Sequence, residues 1–254
     1  MMIDLDRISR SHLETEPYQW AEIDKLFSPG DAAALAATFP IDHFKRLADY
    51  DGEKEFAYEI RCLIRMGEQS ASRENKLSPV WRALANDFLS PAYRKAMSSL
   101  TGLDLSTAPL EVNVFHYPPG GSHGAHPDHR NKIVTQLMYF NESWNDDDGG
   151  CLTILRSADP DDVARTVSPL AGNSAILVRS DDSWHAVSRV AKSSHFSRRS
   201  LTATFYRPGC VSTVWPSWDH ALLGRWQRLL GRLRGAARKS VMREAATPPF
   251  FKAP

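Results

Sequence analysis

Two imidazoles and a carboxylate stand in an order that can hold one metal ion. His126 and Asp128 are two residues apart, and in an extended strand positions i and i+2 face the same side. His185 comes 57 residues after Asp128, in Ser183-Trp184-His185-Ala186-Val187, where a strand can begin beside the first. Two His and one Asp on one face leave three positions of a six-coordinate ion open, the facial arrangement of non-haem iron(II) oxygenases. A bidentate cosubstrate can take two of these positions and dioxygen the third. Each signal alone is ordinary. An HxD pair also occurs at turns, His123 and His129 flank it as alternative ligands or solvated loop residues, and a lone His185 is more often a packed histidine than a ligand.

Arg198 and Arg199 follow His185 by 13 and 14 residues and open the strand-like run Ser200 to Tyr206. A dicarboxylate such as 2-oxoglutarate chelates a metal through its 2-oxo acid. Its distal carboxylate then needs a cation, which arginine supplies with bidentate geometry. Arg199 shares a strand face with Leu201, Ala203 and Phe205, and Arg198 shares the opposite face with Ser200 and Thr202. Without the metal triad, the two arginines read as a solvated pair at a strand start.

The elements that must position these groups are short strands. From Leu110 the runs LEVNVFHY, KIVTQLMYF, CLTILR, NSAILVRS, HAVSRV and RSLTATFYR are rich in Val, Ile, Thr and aromatics, with Gly, Pro, Asn and Asp between them. This pattern indicates a sandwich or barrel. Upstream, Tyr18 to Phe27 can form an early strand. Ser28-Pro29-Gly30-Asp31 reads as a helix start, with Ser28 as N-cap and Pro29 as first helical residue. Pro40 ends that helix, and residues 67–78 read as a loop. Ser78-Pro79 and Ser90-Pro91 begin two more helices, one with Val80, Trp81, Leu84 and Phe88 at helical spacing and the other ending near Gly102.

The expected organisation is a support region of helices and a strand at 1–109, a catalytic core at 110–209 and a basic amphipathic extension at 210–254. In the extension Leu222, Leu223, Trp226, Leu229, Leu230 and Leu233 recur at helical spacing among arginines. From Asp219 onward there are eight Lys/Arg and two Asp/Glu, which leaves 23 basic and 28 acidic groups in the rest of the chain. A basic amphipathic helix over 219–245 can dock on the core with its charges in water, lie on a membrane surface or meet an acidic partner. No nucleic-acid motif is present, and no nucleic-acid partner is expected.

Three scattered cysteines without a CxxC pair suggest neither a disulfide framework nor a zinc ribbon. The N-terminus lacks the pattern of a signal peptide, and no apolar run reaches the length of a membrane span. A cytoplasmic setting is the expectation.

The chain resembles the prolyl-4-hydroxylase-type 2-oxoglutarate/Fe(II) oxygenases, including the hypoxia-sensing prolyl hydroxylases, over about residues 110–209. An ordered set carries the resemblance: Tyr117-Pro118-Pro119-Gly120-Gly121, His126-x-Asp128, Thr135 to Asn141 with Trp144, Asp148-Gly149-Gly150, His185-Ala186-Val187, and Arg199 to Tyr206. It implies a double-stranded β-helix, a cupin-like jelly roll, with N-terminal helices packed on its outer sheet. It implies His126, Asp128 and His185 as ligands of Fe(II). It implies Arg199 and Tyr139 on the distal carboxylate of 2-oxoglutarate, and Tyr117 near that cosubstrate. Thr135 and Leu137 share the strand face of Tyr139 and would line the pocket. The resemblance also implies dioxygen as the second cosubstrate and ascorbate as a stimulant. It implies succinate and carbon dioxide as the co-products.

The gap from His185 to Arg199 is longer than the family's usual spacing, with AKSSHFSR lengthening a hairpin there, which bears on the choice between Arg198 and Arg199. A carboxylate at position 128 favours hydroxylation over halogenation, because related halogenases have Gly or Ala there.

The expected substrate is a small metabolite or biosynthetic intermediate. Arg130 or Lys132 can pair with an acidic one, although solvated loop charges are the plainer reading of these residues and of Asp146-Asp147-Asp148. Trp184 either walls the pocket or packs. A prolyl or protein hydroxylase, a zinc hydrolase of cupin-like fold and a non-catalytic 2-oxoglutarate-binding protein are the competing classes.

Overall fold

The computed structural model describes residues 1–50, 55–212 and 214–215. The basic amphipathic segment expected from Asp219 onward lies outside them. In chain order the elements are α1 (Leu5–Arg10), β1 (Trp20–Ile23), α2 (Pro29–Ala37), β2 (Lys45–Tyr50), β3 (Glu55–Ile64), α3 (Pro79–Leu89), α4 (Pro91–Thr101), β4 (Leu110–Tyr117), β5 (Ser122–His126), β6 (Lys132–Tyr139), β7 (Leu152–Leu155), β8 (Val163–Val167), β9 (Ser174–Val178), β10 (His185–Val187) and β11 (Arg198–Tyr206).

All three expected helix starts form by one mechanism. Ser28, Ser78 and Ser90 each accept, through the side-chain oxygen, the backbone N–H three residues on, at 3.1, 3.4 and 3.2 Å. Each is followed by a proline that needs no hydrogen bond there. The expected early strand is β1. Neither α1 nor the antiparallel hairpin of β2 and β3 was anticipated from the sequence.

The strands run β1-β9-β6-β11-β4-β3-β5-β10-β7-β8, with β2 added on β3. This antiparallel path folds over on itself as the double-stranded β-helix. The turn from the larger to the smaller layer is made where β3 leaves β4 and pairs with β5 through Phe56↔His123 and Ala57↔Ser122.

Alternation on the strands sends two sets of side chains to two cores. Leu137, Tyr139, Leu152, Ile154, Ala175 and Leu177 meet between the layers. Val112, Val114, Met138, Ile176, Leu201 and Phe205 face the opposite way, onto the helices. There Trp81 is fully buried, donates its indole N–H to Leu35 O at 3.1 Å, and packs against Phe140 with ring centroids 4.9 Å apart.

A buried polar relay ties helix to sheet. The Tyr93 hydroxyl donates to Gln136 Oε1 (2.8 Å), Gln136 Nε2 to Ser174 Oγ (3.0 Å), and Ser174 Oγ to Leu137 O (2.7 Å). Every member is satisfied, so the relay specifies the docking of α4 without leaving a desolvated group unpaired. No helix among the described residues is long and apolar enough to cross a membrane.

Candidate metal and cosubstrate site

His126 ends β5 and His185 begins β10, and the two are register partners. Asp128 follows two residues after His126. One ligand atom from each of the three lies within 4.8 Å of those from the other two, and all three residues are buried. His126 Nδ1 donates to Gly124 O at 2.8 Å and His185 Nδ1 to Ser183 O at 2.9 Å. A carbonyl can only accept, so each Nδ1 carries the proton and each Nε2 is left with a lone pair for a cation. His123 stacks on His126 with ring centroids 4.1 Å apart, and His129 Nδ1 accepts from Asn131 N; neither joins the cluster.

Asp128 is held from two sides. The Thr135 hydroxyl donates to Oδ2 at 2.8 Å, and Lys132 Nζ lies 2.5 Å from Oδ1. Burial opposes the charged form, but Lys132, His185 and Thr135 outweigh it and hold the carboxyl well below the usual carboxylate range. Arg179 Nε donates to the Asp128 carbonyl at 3.2 Å and fixes the backbone there.

Thr135, Leu137 and Tyr139 occupy the inner face of β6. Across the barrel's inner wall they meet β11 in the register Thr135↔Thr204, Leu137↔Thr202 and Tyr139↔Ser200. Parity then decides the arginines. Arg198 is on the inner face, 1% exposed, with its guanidinium carbon 4.7 Å from the Tyr117 ring centroid and 5.3 Å from that of Tyr139. Arg199 points outward, stacks over Phe39 at 5.5 Å and borders a surface cleft with Asn141 and Phe196. The expectation that Arg199 faces the interior is therefore corrected. The register is set by Asn141, whose Nδ2 donates to Ser197 O and whose Oδ1 accepts from Arg199 N. A one-residue shift at that clamp exchanges the two faces.

The inner wall holds unspent donors. Arg198 Nη1 donates to Ser200 Oγ at 2.7 Å, but Nε, Nη2 and the Tyr139 hydroxyl are buried without hydrogen-bond partners among the described residues. Burial pushes the Tyr139 phenol up more strongly than the neighbouring Arg198 brings it down. Buried donors of this kind are costly unless something completes them. A cationic fork beside a phenol, between aromatic faces, fits a carboxylate.

An aromatic wall leads from the surface to His126: Phe56, Tyr58 and His123, with Phe115 and Tyr117 behind Tyr58, at centroid separations between 5.3 and 6.2 Å. The sequence reading did not single out Phe56, Tyr58 or Phe115. Phe115 was findable, since it lies two residues before Tyr117 on the same strand face. Phe56 and Tyr58 belong to the unanticipated β3. Glu111, also missed, is fully buried on β4, register partner of Thr204, and accepts from Asn113 Nδ2 at 3.0 Å. Burial pushes its carboxyl up, against opposing contributions from Ser212, Asn113, Lys132 and Tyr206. Trp184 is partly buried, and its carbonyl accepts from the Tyr18 hydroxyl at 3.1 Å.

Residues 112–206 match the model of the 2OG-Fe(II) oxygenase superfamily. No curated protein matches the sequence. Among solved structures, a prolyl-4-hydroxylase of Pseudomonas putida is similar with TM-score 0.54 and 22% identity, over 80% of this chain and 97% of that one. A prolyl 4-hydroxylase of Phytophthora capsici gives 0.56 and 21%, over 92% and 77%. An oxidoreductase of the 2OG-Fe(II) oxygenase family from Burkholderia pseudomallei gives 0.52 and 13%, over 76% and 87%. The match to the 2OG-Fe(II) oxygenase superfamily thus lies in residues 112–206, and the fold of the chain is similar to that of these prolyl-4-hydroxylases.

Proposed function

We propose that the protein hydroxylates a C–H bond of a small molecule, with His126, Asp128 and His185 holding the iron and Arg198 with Tyr139 holding the distal carboxylate of 2-oxoglutarate. The observation that carries this reading is the convergence of a buried His/Asp/His cluster with a buried, incompletely hydrogen-bonded Arg198–Tyr139 pair inside one barrel. The bound iron and cosubstrate supply dioxygen activation: 2-oxoglutarate, dioxygen and R–H become succinate, carbon dioxide and R–OH. The protein's own residues do the positioning. Thr135 orients Asp128, the Gly124 and Ser183 carbonyls fix the two imidazoles, and Tyr117 and Tyr139 sandwich the Arg198 guanidinium. A zinc hydrolase would leave Arg198 and Tyr139 without work.

The half-buried wall of Phe56, Tyr58, Phe115 and His123 offers ring faces beside the iron site, which suits a compact apolar or cyclic substrate. The second reading is hydroxylation of a prolyl residue in a peptide, because two of the similar structures carry that name.

The test is anaerobic. Fe(II) and then 2-oxoglutarate are added to metal-free protein, and the visible charge-transfer band of the chelate is followed. The wild type should show the band and His126→Ala should not. Losing a charged, bidentate partner costs about 3 kcal/mol, so Arg198→Ala should need roughly a hundredfold more 2-oxoglutarate. Arg199→Ala should titrate like the wild type. Equal weakening in both arginine variants would sink the assignment of Arg198. Succinate release stimulated by proline-containing peptides, and not by small cyclic compounds, would favour the second reading.

A further inference from the structure

A second arginine shows the signature of Arg198. Arg61, on β3, is 1% exposed, and none of its three guanidinium nitrogens has a hydrogen-bond partner among the described residues. Its one ion pair among the described residues is with Asp42 at 3.5 Å, and that carboxylate is already engaged by His43 at 2.9 Å. A desolvated guanidinium so poorly paired is expensive unless a ligand completes it.

Arg61 borders a cleft of about 430 Å³, with Arg65, Arg73, His43, Ser72 and Trp215 around it. Arg65 and Arg73 are exposed, free to fold over an occupant. Three guanidiniums line the cleft, Lys45 Nζ lies 5.9 Å from the Trp215 ring centroid, and Asp42 is the carboxylate paired with Arg61, so positive charge dominates and suits an anion. Burial weakens the hold of Arg61 on its proton; Asp42 opposes this and the charge of Arg73 adds to it, so the two guanidiniums feel each other across the cleft. Trp215 closes one side as a flat wall, its indole N–H donating to Asn113 Oδ1 at 2.7 Å. The cleft is separate from the cosubstrate cradle. Arg61 is the register partner of Val114, whereas Arg198 lies on β11 opposite Tyr117.

We propose that this cleft is a binding site for a phosphate monoester, its phosphoryl group held by Arg61, Arg65 and Arg73 and its organic part laid against Trp215. Arginine forks match phosphate oxygens bidentately, and the indole supplies an apolar face for a ring.

The test titrates the metal-free, full-length protein at low ionic strength with inorganic phosphate and with phenyl phosphate, by calorimetry and by tryptophan fluorescence. Saturable one-to-one binding is expected, with phenyl phosphate binding more tightly than phosphate. Arg65→Ala and Arg73→Ala alter exposed residues and should fold. Each should weaken both ligands about tenfold or more, the size of one charge-assisted hydrogen bond. Trp215→Leu should remove the preference for phenyl phosphate while keeping phosphate binding. Arg198→Ala should leave both affinities unchanged. Absence of saturable binding overturns the proposal. So does binding that survives both cleft variants, or that disappears in Arg198→Ala, which would place the anion in the 2-oxoglutarate cradle. Tighter binding of free phosphate than of phenyl phosphate would overturn the ester assignment.

Discussion

At the scale of single residues, the barrel buries several ionisable groups that differ in how fully they are partnered. Asp128 is the well-supported member, with Lys132 and Thr135 on its carboxylate. Arg198 and Tyr139 are left with donors to spare. Glu111 is buried with its carboxyl pushed up, and here the linkage has a definite sign. An acid whose folded pKa is raised binds its proton more tightly in the folded state. Its stabilising contribution is full below the unfolded carboxylate pKa of about 4.3 and is lost as pH rises through the higher folded value. Glu111→Gln removes that loss. The variant should therefore gain Tm relative to the wild type as the buffer is moved from pH 5 to pH 8. A Tm difference that stays constant across this range would show that Glu111 does not titrate in that way.

At the scale of elements, turns decide where side chains point. Gly149 has φ +63°, and a Cβ there would lie 2.2 Å from the Arg189 carbonyl oxygen; one at Gly150, φ +65°, would lie 2.9 Å from the Trp144 ring. These glycines let the chain entering β7 cross the segment between β10 and β11, where Ala191 N donates to Asp148 O at 2.8 Å. That segment delivers Arg198. Gly149→Ala should cost about 1–3 kcal/mol for the backbone conformation alone, and more for the clash. A loss of several degrees in Tm should follow, together with weaker 2-oxoglutarate binding. Thermal unfolding within a degree of the wild type would contradict the close approach. The helix starts are the opposite case. Ser-Pro at each was legible because capping is local, whereas β2 and β3 were not, since their place in the sheet comes from pairing with β4 and β5.

At the scale of the molecule, the N-terminal region is part of the barrel. β1 pairs with β9 and β3 with both β4 and β5, and the helices cover the outer face of the large layer through Trp81, Leu84, Phe88 and Tyr93. We propose that residues 1–109 do not fold apart from the core. A fragment spanning 110–212 exposes the apolar side of β4, β6, β9 and β11 and leaves β4 with an open edge. It should show no cooperative thermal unfolding, while the full chain should melt in one transition. A fragment that melts cooperatively and still forms the Fe(II)–2-oxoglutarate band would refute this.

The sequence by itself determined the candidate ligand set and the class of fold. The HxD pair, the distant His185 and the strand-like texture after Leu110 are recoverable because ligand type, ligand order and two-residue periodicity are written along the chain. The helix caps and the inner-facing row Thr135, Leu137 and Tyr139 are legible for the same reason. Tertiary structure alone decided that Arg198 and not Arg199 faces inward, because a strand's parity depends on the length of the loop before it and on the Asn141 clamp across the sheet. It alone brought Phe56 and Tyr58 beside His123, and Arg61, Arg65 and Arg73 around one cleft. Such meetings join residues far apart in sequence, and no local periodicity encodes them.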